Sequence, residues 1–141
     1  MPDPEPAAFD ERSVRLAQGA LGIVLLAAFV FRIPLLVPIA AINELVGAAV
    51  GPQAAPLYLA YRALLRDRLP TRGAVAPVAA DGIRAQHILA VVLLGVAALA
   101  FLVGVDVVGW LFTLLQAGVA VTEATLGINA ATALRERLNR D

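Results

Sequence analysis

The chain has 141 residues, 60% hydrophobic and 16% charged, with 11 basic side chains balanced by 11 acidic ones. A mean hydropathy of +0.82 implies more apolar surface than a soluble domain of this size can bury, so the composition points to an integral membrane protein and away from a nucleic-acid binder. Cysteine is absent and histidine occurs once, which excludes disulfides and dithiol chemistry by the chain's own side chains and leaves no cofactor or metal site to expect.

Residues 1–13, MPDPEPAAFDERS, read as a flexible, acidic, Pro-rich stretch with the wrong flank for a secretory signal. Two apolar blocks follow, Leu16–Phe31 and Leu35–Gly51, separated only by Arg32, Ile33 and Pro34. Each is short of the roughly 20 residues of a full crossing, so a reentrant hairpin is the alternative to two short spans. Pro34 as a first-turn residue and Arg32 reaching toward a headgroup argue for two spans. In APLYLAYRALLRDRL, Leu57, Tyr61, Leu64 and Leu65 share one side while Arg62 and Arg66 share another, the pattern of an amphipathic helix on a membrane surface. A linker over 70–82 leads to the cleanest span, His87–Gly104. The fourth block, Val107–Ile128, is entered by a tight turn at Asp106, and its Trp110 suits an interfacial aromatic belt. The tail returns to an amphipathic pattern, with Leu134 and Leu138 one helical turn apart.

With four spans, Arg12, Arg15, Arg62, Arg66, Arg68, Arg72, Arg84, Arg135, Arg137 and Arg140 fall on one side and only Arg32 on the other. The positive-inside rule then predicts a multi-pass protein of the bacterial cytoplasmic (inner) membrane with both termini cytoplasmic. The pentapeptides LRDRL (Leu65–Leu69) and LRERL (Leu134–Leu138) lie 69 positions apart, and the same offset lays Arg15 over Arg84. The expected fold is therefore all-α with four transmembrane helices. They form two similarly oriented two-span units, 14–69 and 83–141, each closing on a cytoplasmic amphipathic helix.

Polar residues inside the apolar blocks are the candidate functional groups. Glu44 lies about ten residues beyond Pro34, roughly 15 Å along a helix, which predicts a position near mid-membrane. An acid there must face protein, find a partner, stay protonated or line a wet cavity. Asn43 precedes it, and Thr113 and Gln116 are expected at similar depth, where a Glu44–Gln116 hydrogen bond would clamp the halves together. A second set, Arg15, Gln18, Arg84, His87 and Glu123, falls near the cytoplasmic ends of the spans. Glu123 is expected to bridge to Arg84 or Arg15, and His87 to make a hydrogen bond or a headgroup contact. The arginines suit anionic lipid headgroups. Small-residue runs at Gly19–Gly22, Gly47–Gly51 and Leu94–Ala100 suit close helix packing within the chain, against another copy or against other membrane subunits.

The phrases FDERSVRLAQG, GPQAAPLYLAYRALLRDRLP and RAQHILAVVLL, with Gly109–Trp110 in the fourth block, resemble the small bacterial membrane proteins of domain-of-unknown-function family 4395 from Phe9 to about Thr132. Members of that family usually end the fourth helix with a glycine, two cysteines three apart and a tyrosine. Here the stretch reads LGINAATALRERL, with Asn129 and Thr132 at the cysteine positions. The resemblance implies the four-span architecture. It also implies thiol or sulfur chemistry for members with the cysteine pair, which this chain cannot perform with its own side chains.

No phosphate loop, dinucleotide fingerprint or zinc-protease motif occurs in the sequence. The expected function is that of a non-catalytic membrane protein, a small structural or accessory subunit of a membrane complex. The alternative is a small oligomeric transporter or permease using Glu44, and a more distant one is a membrane component of a sulfur or redox system.

Overall fold

The computed structural model describes residues 8–64, 77–126 and 137–140. Apart from two three-residue strands, the described secondary structure is helical. β1 (Ala8–Asp10) leads into α1 (Glu11–Val30), and α2 (Leu36–Ala49) follows. A 3-10 turn at Pro52–Ala54 and the short α3 (Pro56–Leu64) come next. β2 (Pro77–Ala79) then leads into α4 (Ala80–Leu102), and α5 (Asp106–Leu126) completes the order. β1 and β2 pair antiparallel with Phe9 opposite Val78, so the starts of α1 and α4 are stapled side by side at what we call the strand end.

Residues 8–13, expected to be part of a flexible terminus, are strand and helix, and residues 77–82, expected to be linker, are β2 and the start of α4. The pentapeptide Leu65–Leu69 and most of Leu134–Leu138 lie outside the described residues.

Helix ends follow local chemistry. α1 closes with Arg32 in the left-handed region (φ 55) and Ile33 N–H donating to Ala28 O at 2.9 Å, a Schellman-type end. α4 closes the same way at Gly104 (φ 79), with Val105 N–H donating to Ala100 O at 2.8 Å. Glycine adopts that conformation without steric cost, whereas an arginine is strained by roughly 1–2 kcal/mol. Contacts around Arg32 offset the strain, because its guanidinium lies 5.2 Å from the Phe29 ring centroid and 5.8 Å from that of Trp110. Arg32 itself is exposed. Trp110, 9% exposed, is held edge-on by Phe29 at 5.7 Å and Phe101 at 4.7 Å. These rings close the end opposite the strands. Pro34 precedes α2 instead of opening it, and Pro38 sits in the first turn, where its missing N–H leaves no helical bond unmade.

α1 packs along α5, α2 along α4, and α4 along α5, while α1 and α2 touch little. The core is small and branched: Leu21, Leu25, Val37, Ala40, Leu94, Ala97, Ala117 and Ala120. Alanines at these positions let helix backbones approach closely. The outward faces are also apolar, with Ile23 and Leu26 on α1, Ile39 and Ile42 on α2, Val92 and Leu99 on α4, and Leu111 and Leu115 on α5 all exposed. Two helical segments, Gly82–Leu102 and Asp106–Thr125, are long and apolar enough to cross a membrane. The apolar part of α1, Val14–Val30, and all of α2 are shorter. The 14 residues of α2 extend only about 21 Å against a hydrocarbon core of about 30 Å.

Leu94 is fully buried and Leu99 is 63% exposed on the same helix. Leu94→Ala is expected to destabilise the detergent-solubilised protein by about 2–5 kcal/mol and Leu99→Ala by no more than about 0.5 kcal/mol. Thermal or denaturant unfolding followed by helicity measures both.

Candidate functional site

The buried polar side chains concentrate toward the strand end, and α4 organises them. Its first two turns carry Arg84, Gln86 and His87, and the neighbouring pair Gln86 and His87 reaches in two directions. His87 Nδ1 lies 2.6 Å from Glu44 Oε2 on α2. Gln86 Nε2 donates to Glu123 Oε2 on α5. All four side chains are buried, Glu44 to 1% exposure. At 2.6 Å, one proton must lie between His87 Nδ1 and Glu44 Oε2, since two lone pairs facing each other would repel.

The second carboxylate oxygen of Glu44 is also engaged, accepting from Asn43 Nδ2 at 2.7 Å. Asn43 Oδ1 in turn accepts from Leu57 N–H at 2.9 Å. Leu57 is the second residue of α3, where backbone N–H groups lack helical partners, so Asn43 caps α3 from across the chain. One continuous chain of bonds thus links α4, α2 and the start of α3. Gly47, one turn beyond Glu44, makes room for it: a Cβ there would lie 2.7 Å from His87 Cε1 and Nδ1.

Two arginines finish this end. Arg15 donates from Nε to Ala124 O at 2.9 Å and from Nη2 to Thr125 O at 2.6 Å, in the last turn of α5. Arg84 Nε donates to Ala48 O at 2.9 Å in the last turn of α2. Each guanidinium meets carbonyls in the last turn of a helix, where the helix dipole also favours positive charge.

Several expectations are corrected. The Glu44–Gln116 bond does not form: Glu44 is taken by Asn43 and His87, and Gln116 Oε1 is buried without a partner. The depths differ as well. Through the adjacent Gln86 and His87, Glu44 stands level with Glu123, seven residues or about 10 Å of helix from Gln116. Glu44 therefore lies nearer the strand end than the mid-membrane position expected. Thr113 is satisfied within its own helix, donating to Gly109 O at 2.8 Å. The expected bridge from Glu123 to Arg15 or Arg84 gives way to Gln86, because both arginines turn to helix-end carbonyls. Of the two roles expected for His87, the structure shows the hydrogen bond, made to Glu44 in the interior.

Gln86, Tyr58 and the Leu57 N–H were not anticipated from sequence. Gln86 had one available signal, its place beside the single histidine on the polar start of an apolar helix. Beside Glu44 lies a cavity of about 20 Å³ lined by Gln18, Asn43, Glu44, Tyr58, Ile83 and His87, among others. Gln18 is 3% exposed, and its Oε1 has no partner. Among the described residues, no three His, Cys, Asp or Glu side chains gather as a metal-binding group.

The sequence profile of the family described as Domain of unknown function (DUF4395) matches residues 9–140, nearly the whole chain, and the protein belongs to that family. No curated protein and no solved structure matches the chain. The family carries no assigned activity, so functional inference rests on the site itself. Asn129 and Thr132, expected at the positions of the family's cysteine pair, lie outside the described residues, and the chain contains no cysteine.

Removing one member of a buried pair leaves the other uncompensated. His87→Ala is expected to cost about 3–5 kcal/mol. Combining it with Glu44→Gln should recover part of that loss, giving a coupling of about 0.5–3 kcal/mol in a double-mutant cycle read by unfolding in detergent. Gly47→Ala, which touches neither charge, should cost about 1–3 kcal/mol by displacing the His87 ring. Its effect should largely vanish in a His87→Ala background.

Proposed function

We propose that the chain is a non-catalytic integral membrane protein of the bacterial cytoplasmic membrane, serving as a small structural or accessory subunit of a membrane complex. In this reading it crosses four times as a four-helix bundle, with both termini cytoplasmic. The observation that carries the reading is where polarity lies along the helices. Among the described residues, the side-chain hydrogen bonds between helices cluster at the strand end, the Gln86–Glu123 and His87–Glu44 pairs buried and the two arginine contacts nearer the surface. Beyond them the interior is Leu21, Leu25, Leu94, Ala97 and Ala120, interrupted by the buried Thr113 and Gln116, and it ends in the Trp110, Phe29 and Phe101 rings. A mainly apolar interior without a charged side chain at that depth, closed by three aromatic rings, suits a clamp better than a conduit for a polar solute.

Four crossings draw support from the outward faces of the two shorter helices, which carry exposed isoleucines and leucines like those of α4 and α5. A span as short as α2 is tolerated by local bilayer thinning or flanking side chains. The arginine distribution supports an orientation with the strand end toward the cytoplasm. A duplicated two-span unit draws support from the strand register. Phe9 faces Val78, 69 positions on, and the helices that follow begin at Glu11 and Ala80 with the same offset. Such a register is what a two-fold axis along the membrane normal would produce between two copies of one unit. Arg15 and Arg84, related by that offset, do the same job at the ends of α5 and α2. Arg62, exposed at the last turn of α3, is placed for anionic headgroups.

A transporter or permease using Glu44 has one observation on its side, the cavity beside that carboxylate. The readings part on measurement. In proteoliposomes with an imposed pH gradient, the subunit reading expects proton flux at the level of empty vesicles, unchanged by Glu44→Gln. Flux abolished by that substitution would establish the transporter instead. Mild extraction from native membranes should yield a stoichiometric membrane partner, and a lone monomer would overturn the subunit reading. For topology, Ile33→Cys and Val105→Cys should both react with an impermeant thiol reagent added to intact cells, and Arg62→Cys only after permeabilisation. An unreactive Ile33→Cys beside a reactive Val105→Cys would remove α1 and α2 as crossings.

A further inference from the structure

We propose that the cavity beside Glu44 is a binding site for one water-sized hydrogen-bond donor, water or the ammonium ion, held between Gln18 Oε1 and the Glu44 carboxylate. The volume of about 20 Å³ is enough for a water-sized species, which needs roughly 10–15 Å³. The wall selects a donor. Gln18 is buried to 3% exposure, and its Oε1 has both lone pairs unfilled. A buried acceptor left dry is costly, so a partner is expected wherever one fits. The Glu44 carboxylate offers about four acceptor positions, of which Asn43 Nδ2 and the His87 contact engage two. Asn43 Oδ1 adds a further oxygen, already holding Leu57 N–H.

An anion would meet the carboxylate and a dry acceptor, so it is disfavoured. A divalent cation would require more oxygen ligands than gather here, and the described residues bring no three acidic or histidine side chains together. Water and ammonium share the needed chemistry, being compact and able to donate to two oxygens at once. The bound species would bring α1, through Gln18, into the network that already joins α2, α3 and α4. The site follows from the cavity and its oxygens and stands whether or not the chain serves as an accessory subunit.

The test uses the full-length chain in lipid nanodiscs. Because the chain has one histidine, its ring proton signals in NMR spectra belong to His87 alone. If water fills the site, a cross-peak between bound water and the His87 ring is expected in the wild type and is lost in Gln18→Met. If ammonium fills it, ammonium chloride shifts the His87 signals saturably while sodium chloride does not. Affinity should then fall roughly tenfold in Gln18→Met, the loss expected from one hydrogen bond. Ala17→Val fills the cavity from its wall with Gln18 intact, and should produce the same losses if Gln18→Met fails to fold. The proposal is overturned if the wild type shows neither signal, or if the signal survives unchanged in the folded variants.

Discussion

A carboxylate buried among apolar helices must have partners, and Glu44 dictates much of what surrounds it. Its two oxygens take Asn43 and His87, so α2 and α4 are held in one register. His87 can reach it only because position 47 has no side chain. Asn43 holds it in a conformation that also presents Oδ1 to the start of α3. Because α4 also carries Gln86, fixing His87 on one side aims Gln86 at Glu123 on the other. The strand end is thus a set of mutually dependent contacts, in which loss of one member leaves another buried and unpaired. The opposite end is held differently, by rings and a strained arginine, with no buried ion pair among the described residues.

This division fits the physical setting of apolar helices. Where both the solvent-facing and the inward surfaces are hydrocarbon, apolar contacts discriminate poorly between alternative registers, because sliding one helix along another exchanges one methyl for the next. Polar pairs discriminate sharply, since a slip of one residue leaves a carboxylate without its donor. A few well-placed pairs at one end therefore set the alignment of helices whose remaining contacts are interchangeable.

Much of the architecture could be read from the sequence, and the failures have definite causes. Four apolar helices and an amphipathic segment after the second followed from block lengths and from leucine and arginine spacing. The importance of Glu44, Asn43, His87, Arg15 and Arg84 was legible because polar side chains in apolar stretches require an explanation. Their pairing was not. A depth reckoned from Pro34 assumes that α2 crosses fully, yet α2 ends at Ala49, which moves Glu44 toward the strand end and away from Gln116. Charge alone pairs the arginines with acids, whereas helix-end carbonyls, invisible in a sequence, take them in the folded chain. Gly47 looked like one of several small residues for helix contact, and only the folded geometry shows it facing an imidazole ring.

The bond between Glu44 and His87 spans 43 positions of the chain. At a synthesis rate of about 5–20 residues per second, the carboxylate leaves the ribosome about two to nine seconds before its histidine exists. Until then Glu44 has Asn43 beside it and no His87, so the register between α2 and α4 is fixed only once the second half of the chain has been made.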